Sequence, residues 1–304
     1  MSLIVTGSIG IDTVITPTAR AEEVLGGSCI YFAAAASFFT PVRVVGAIGD
    51  DFPASFLELF KRFNADTRGL QRREGSKTFR WTGRYHEDMN TRDTVEVALN
   101  VLAEEPAPVP DAFRDSRFVF LANTHPSAQM ALLKEFPKAQ LVVADTMDLW
   151  IDTAPNELSA LLKNLDGLVL NDSEARQLTG ESNLVAASHE VLKRGPKFVV
   201  IKKGEHGCLL NHGDGLGILH AYPQLNVVDP TGAGDSFAGG MMGYLASCGR
   251  IDLPALRRAL AYGTVVASYV IEDFSLDRLT EITRGDIDRR LEEYASYTRF
   301  DAGA

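Results

Sequence analysis

"NVVDPTGAGDSFAGGMMGYLA", Asn226 to Ala246, reads as a strand, a loop and then a helix beginning near Asp235. Gly232 and Gly234 strip the loop of side chains, so backbone N–H groups can approach a ligand closely. The helix N-terminus adds unpaired N–H groups and a partial positive charge. Together they make an anion site suited to phosphate or to a phosphoryl group in transfer. The loop is not a Walker A motif, because Gly240 and Met241 stand where Lys and Ser/Thr are required. It is not GxGxxG either, because Phe237 takes the last glycine's place. Asp235 has two readings. As an N-cap it contributes ~1 kcal/mol. As a base it accepts the proton of an attacking hydroxyl, which explains a carboxylate placed beside an anion hole.

Working outward, short apolar runs alternate with amphipathic stretches. "LIVTGS", "VRVVGAIG", "RFVFLAN", "LVVAD", "GLVLN" and "FVVIKKG" are apolar on both faces, as buried parallel strands are. Helical patterns fall at Ile30–Phe39, Ala54–Phe63, Ala128–Glu135, Glu157–Leu165 and Leu184–Lys193. The alternation predicts one doubly wound, mostly parallel α/β sheet flanked by helices, spanning 1–304 as a single domain. Ligands of such sheets bind beyond the strand C-termini. One segment breaks the pattern: "TFRWTGRYH", "EDMN" and "TRDTVEVALN" form a hairpin with Phe79, Trp81 and Tyr85 on one face. Arg80, Thr82, Arg84 and His86 fall on the other. Such an insertion is a lid or a homodimer surface, or its aromatics cover the sheet edge. "AEEPAPVP", Ala103 to Pro110, is the best internal boundary signal.

The 304 residues are 45% hydrophobic and 23% charged, with 30 basic against 40 acidic side chains and a net charge of −10. That balance argues against nucleic acid or an anionic membrane as partner. "CIYFAAAASFF" is far below the ~20 residues that span a bilayer. Cys29, Cys208 and Cys248 are widely spaced and form no CxxC pair, so they read as small buried hydrophobes in a reducing, cytoplasmic protein.

"DPTGAGDSFAGG" resembles the C-terminal signature of the PfkB/ribokinase family of carbohydrate and nucleoside kinases. "LGGSCIYFAAAASFF" resembles that family's double-glycine signature, "VVGAIGDDF" its G-x-x-G-x-D segment, "NDSEARQLTG" its N-x-x-E motif and "KKGEHGCLL" its K-G-x-x-G hairpin. All five occur in family order along nearly the whole chain. The resemblance implies a ribokinase-like fold with a small β lid, from about 12–25 and 76–102, and an ATP- and Mg²⁺-dependent kinase acting on a hydroxyl of a sugar or nucleoside. It implies Asp235 as base and the amides of Gly232, Ala233 and Gly234 as anion hole. Asn171 and Glu174 match the pair that organises Mg²⁺ through water, although both also suit a helix start. Gly204 lies where the family contacts nucleotide. Asp12, read as ending the first strand, matches a carboxylate for substrate hydroxyls or is a turn residue. Gly26 and Gly27 let substrate approach the backbone, and Asn123 and Asp145 are pocket candidates or turn residues.

The match departs from the family at three places. Tyr31 stands where ribokinase-like members have an Asn that contacts sugar hydroxyls, which argues against ribose. Few residues separate Asp12 from Gly26, so the first lid strand is expected to be small and the later hairpin to do most of the covering. Asp273 in "YVIEDFSLD" stands where a Gly is common, near a K⁺ site expected around Asp229; Pro230 keeps that loop stiff. Lys77, Arg80, Arg84 and Arg43 would suit a sugar phosphate, whereas Tyr31, Phe32 and Trp81 would stack a nucleoside base. Two other classes are a catalytically silent sugar- or nucleotide-binding protein of the same fold, and a dinucleotide oxidoreductase. The first is opposed by the presence of Asp235 and its glycines, the second by "GSIGID", which lacks G-x-G-x-x-G.

Overall fold

Neighbouring residues of one strand enter opposite cores. Leu3 and Val5 join one buried cluster and Ile4 the other; Phe118 and Phe120 separate in the same way from Val119 and Leu121. Strands apolar on both faces therefore form the middle of a three-layer structure. The computed structural model describes residues 1–299. In chain order its first strands are β1 (Leu3–Thr6), β2 (Gly10–Ile15), β3 (Arg20–Gly26), β4 (Val42–Gly49), β5 (Ala65–Arg73), β6 (Phe79–Tyr85) and β7 (Arg92–Ala98). They are followed by β8 (Phe118–Leu121), β9 (Leu141–Asp145), β10 (Gly167–Asn171), β11 (Phe198–Lys202), β12 (Cys208–His212) and β13 (Gly215–Leu219). The helices are α1 (Ser28–Ser37), α2 (Ala54–Arg62), α3 (Pro126–Leu133), α4 (Asp148–Thr153), α5 (Pro155–Leu162) and α6 (Asp172–Thr179). After these come α7 (Leu184–Lys193), α8 (Ala233–Cys248), α9 (Leu253–Val270), α10 (Asp277–Glu281) and α11 (Arg284–Tyr297).

Nine strands form the central sheet in the order β13-β12-β11-β10-β9-β8-β1-β4-β5. Pairing is parallel from β5 to β11, with β12 and β13 added antiparallel at one edge. Residues of α1, α8, α9 and α11 fill one face; residues of α3, α5, α6 and α7 fill the other. The doubly wound α/β architecture thus follows from the buried strand pattern. No helix among the described residues is long and apolar enough to cross a membrane.

Helix α8 is held close to both neighbours by small residues. A Cβ on Gly239 would overlap the Phe32 carbonyl of α1, and one on Gly240 would come within 3.1 Å of Gly263 on α9. This close seating fixes the first turn of α8, and with it Asp235, relative to the sheet.

Four strands form a second sheet in the order β3-β2-β6-β7. The segment from Gly10 to Gly26 is a complete antiparallel hairpin whose strands match β6 and β7 in length, not the small addition expected from its few residues. Asp12 lies inside β2, paired with Val24 and Trp81, and does not end the first strand. The strand expected at Asn226–Asp229 is also absent. There the Val228 and Asp229 amides donate to the Ile271 carbonyl, at 2.8 and 3.4 Å, and form no ladder.

Gly239→Ala should destabilise the protein by about 1–3 kcal/mol through overpacking against α1. A lower urea midpoint with an unchanged slope is the expected result, and an unshifted midpoint would contradict this close seating.

Candidate active site

Buried polar atoms without hydrogen-bond partners gather at one end of the molecule. Among the described residues they include Thr6 Oγ1, Asp12 Oδ1, Tyr31 OH, Thr124 Oγ1, Asp145 Oδ1, Thr146 Oγ1 and Asp229 Oδ2. Thr6 ends β1, Asp145 ends β9 and Thr124 follows β8, so the group marks the C-terminal edge of the central sheet. Unmet polar groups in a native interior call for a ligand, ion or water.

Asp12 and the glycine pair come together by close contact. A Cβ on Gly26 would overlap the Asp12 carboxylate, so only glycine leaves that carboxylate room. Burial, then the charges of Asp229 and Asp235, push Asp12 up to about 7, with the Gly27 amide opposing. Burial likewise raises Asp229 to about 6, against hydrogen bonds from Thr231 and Ser275.

Gly232 is the N-cap of α8 in the left-handed region, φ 74°, and a Cβ there would overlap the Tyr31 ring. Asp235 lies in the first turn of α8 and does not cap it. The Ala233 amide is engaged by the Pro230 carbonyl at 3.2 Å, whereas the Gly232 and Gly234 amides have no acceptor among the described residues. Asp235 is half-buried and its pKa is raised by desolvation; the charge of Lys202, then that of Arg92, opposes the rise.

Asn171 and Glu174 form the capping box of α6. Asn171 Oδ1 accepts from the Glu174 amide at 2.8 Å, and Glu174 Oε2 accepts from the Asn171 amide at 2.7 Å. Glu174 Oε1 and the side-chain Nδ2 of Asn171 remain unengaged among the described residues. Asp145, reached by the charges of Asp235, Lys202 and Glu174, is pushed well above the carboxylate range, foremost by burial. Gly204, with φ 53°, starts the turn after β11, and a Cβ there would lie 2.6 Å from Asn90 Oδ1 in the β6–β7 turn. The second sheet therefore reaches across to the Gly204 side.

Residues paired across a ladder share a face. Asp12 opposes Trp81, Trp81 opposes Val97, and Tyr85 opposes Arg92. The Thr231 hydroxyl donates to Tyr85 at 3.2 Å, so this face is turned toward the glycine loop. The aromatic face of the hairpin is thus the inner one, with the Arg92 guanidinium 5.6 Å from the centre of the Trp81 ring. Arg80, on the outer face, pairs with Glu23 and Asp51 at 2.9 and 3.2 Å. Arg43 is held by Asp115 and Ser116.

Several expectations change. Phe32 is a core residue, stacked on Phe120 with ring centroids 4.5 Å apart, and Tyr31 is equally buried, so neither ring lines an open pocket. Cys248 is exposed, unlike Cys29 and Cys208. Asn123 spends its amide on Trp150 Nε1 at 2.9 Å and Met147 Sδ at 3.1 Å. Beside it a cavity of about 580 Å³ runs between the segment after β7 and the start of α3. Leu99, Val101, Ala107, Leu132, His125 and Trp150 are among its walls. The His125 and Trp150 rings meet edge-on at 5.1 Å.

Sequence reasoning missed Lys202 and Arg92. Lys202 was legible as a cation closing an apolar strand at the ligand edge. Arg92 was not, because its facing depends on a register with a bulge in β7.

The family model described as pfkB family carbohydrate kinase matches residues 13–281. A cytidine kinase of Thermococcus kodakarensis is 30% identical over 275 residues, 86% of this chain and 96% of its own. A Burkholderia thailandensis nucleoside kinase, solved with inosine, superposes with a TM-score of 0.80 at 19% identity, over 96% of this chain and 97% of its own. A putative ribokinase II from E. coli, solved with ATP and Mg²⁺, gives 0.78 at 18% identity, over 96% and 99%. At these identities the two structures establish the fold, which is ribokinase-like.

The folded state holds the Asp12 proton up to about pH 7, whereas an unfolded chain releases it near 3.8. The stability this proton contributes is complete below pH 3.8 and is lost as pH rises through about 7. Asp12→Asn should therefore raise the melting temperature by several degrees at pH 8 and by much less at pH 4. Thermal melts at both pH values check this, and an equal gain at both would contradict it.

Proposed function

The chain belongs to the pfkB family of carbohydrate kinases and is a phosphotransferase, and we propose that its acceptor is a nucleoside. The cavity carries this reading. Its walls are mainly apolar with two ring edges, as an aromatic base requires. Glu104 and Glu105 line it and, among the described residues, no Lys or Arg does, which disfavours a phosphorylated acceptor. Of the four cations a sugar phosphate would need, Arg80 and Arg43 are held by acidic partners elsewhere, and Lys77 and Arg84 do not line the cavity. The names of the cytidine kinase and of the inosine-bound nucleoside kinase support the same class.

The base would enter the cavity and the sugar hydroxyls would face Asp12, whose Oδ1 lacks a partner. Asp235 accepts the proton of the attacking hydroxyl; the new P–O bond forms at the γ-phosphorus as the bond to the β-phosphate oxygen breaks, releasing ADP. The Gly232 and Gly234 amides take up charge on the transferring group. The second sheet acts as the lid: its Trp81, Tyr85 and Val97 face inward and exclude water, the competing acceptor.

Mg²⁺ fits the residues present. The free Glu174 oxygen and the partnerless Asp145 Oδ1 are hard donors. No group of three acidic, His or Cys side chains could cage an ion among the described residues, so water and phosphate would complete its shell. When bound, the ion would neutralise phosphate charge. A monovalent cation such as K⁺ would suit the partnerless Asp229 Oδ2, which is fully buried.

ADP release from MgATP, measured over nucleosides, free hexoses and pentoses, and sugar phosphates, tests the acceptor. A nucleoside should exceed every sugar in kcat/KM by at least about tenfold. A free sugar or sugar phosphate as the best acceptor would overturn the nucleoside assignment.

A further inference from the structure

We propose that Lys202 completes the anion site: strand β11 delivers to the polyphosphate the ammonium that the glycine loop itself lacks. This rests on the kinase reading above. In a Walker A loop the lysine follows the last glycine and reaches the phosphates. Here Gly240 occupies that place, inside a helix and packed against α9. The cation comes from elsewhere. Lys202 is the last residue of β11 and shares the parity of Phe198 and Val200, which face the α1, α8 and α9 side of the sheet. Its side chain thus leaves the sheet toward the first turn of α8. A Cβ on Gly234 would stand 2.6 Å from Lys202 Nζ, so the ammonium lies against the loop backbone.

Lys202 is half-buried and forms no ion pair or hydrogen bond among the described residues, unlike Lys61, Lys193 and Lys197, which are paired at 2.6, 2.5 and 2.7 Å. An unpaired ammonium among buried carboxyls, next to amides without acceptors, is complementary to an anion with several oxygens. Its charge is the largest influence opposing the burial of Asp235 and of Glu174. One side chain therefore serves two ends: it offers a charge-assisted hydrogen bond to the phosphates and favours the ionised Asp235.

Calorimetric titration of the full chain with ATP, with tripolyphosphate and with adenosine tests this in wild type, Lys202→Met and Lys202→Arg. Lys202→Met should weaken ATP and tripolyphosphate roughly 10- to 100-fold while leaving adenosine unchanged, and Lys202→Arg should recover part of the loss. Equal ATP affinity in wild type and Lys202→Met would overturn the proposal, as would an equal loss for adenosine. Should Lys202→Met fail to fold by circular dichroism, Gly234→Ala serves instead. Its Cβ displaces the ammonium and keeps the charge, and an ATP affinity like that of wild type would again overturn the proposal. If the phosphate-dependent loss is found but no acceptor is phosphorylated, Lys202 stands and the kinase reading fails. A wild-type chain that binds neither ATP nor tripolyphosphate overturns both.

Discussion

Four carboxyl groups meet at the edge where the two sheets join: Asp12, Asp145 and Asp229, which are buried, and Asp235, which is half-buried. Burial raises the proton affinity of each, and Asp12 and Asp145 also feel the charge of Asp235. Left alone, such a cluster would protonate and become inert. Two cations counter this rise at the Asp235 end of the cluster. Lys202 comes from the central sheet and Arg92 from the second, and both oppose the rise at Asp235 and Glu174. The chemistry of the site depends on this balance between desolvation and a few fixed charges.

Two structural devices keep the balance in place. The close seating of α8 between α1 and α9 fixes Asp235 and the glycine loop against the sheet. The second sheet supplies the opposite wall, with Asp12 on β2, Trp81 and Tyr85 on β6 and Arg92 on β7, all on one face. Because β2 and β6 pair in parallel, residues far apart in sequence share that wall. The contact of Tyr85 with Thr231 joins it to the glycine loop, so a shift of the sheet would be felt at the anion site.

The middle of the central sheet was legible in the sequence because β1, β4, β8, β9, β10 and β11 are short runs apolar on both faces, whereas the edge strands β5 and β13 are only partly buried and lack that pattern. The glycine loop was legible for a similar reason, since a loop without side chains next to a helix start has few uses. The second sheet was only half legible. Its local hairpin, β6 with β7, could be read from turn residues and alternation, whereas the β2–β6 pairing is non-local and left no trace near Asp12. For the same reason Asp12 looked like the end of a strand. Asn171 and Glu174 could be read as a helix cap or as metal organisers; the structure shows the cap, and the oxygen that Glu174 keeps free leaves the second role open to it. The aromatic residues Tyr31 and Phe32 misled because sequence does not distinguish a ring that lines a pocket from one that fills the core beneath it.

Single-turnover transfer of labelled γ-phosphate from ATP to a nucleoside, comparing wild type with Asp235→Asn, tests the role of Asp235 most directly. Asn keeps the size and polarity of the side chain and removes the proton acceptor. The account predicts ATP affinity close to wild type and a transfer rate roughly 100- to 10,000-fold lower. Transfer within about tenfold of wild type, with ATP bound, would contradict it.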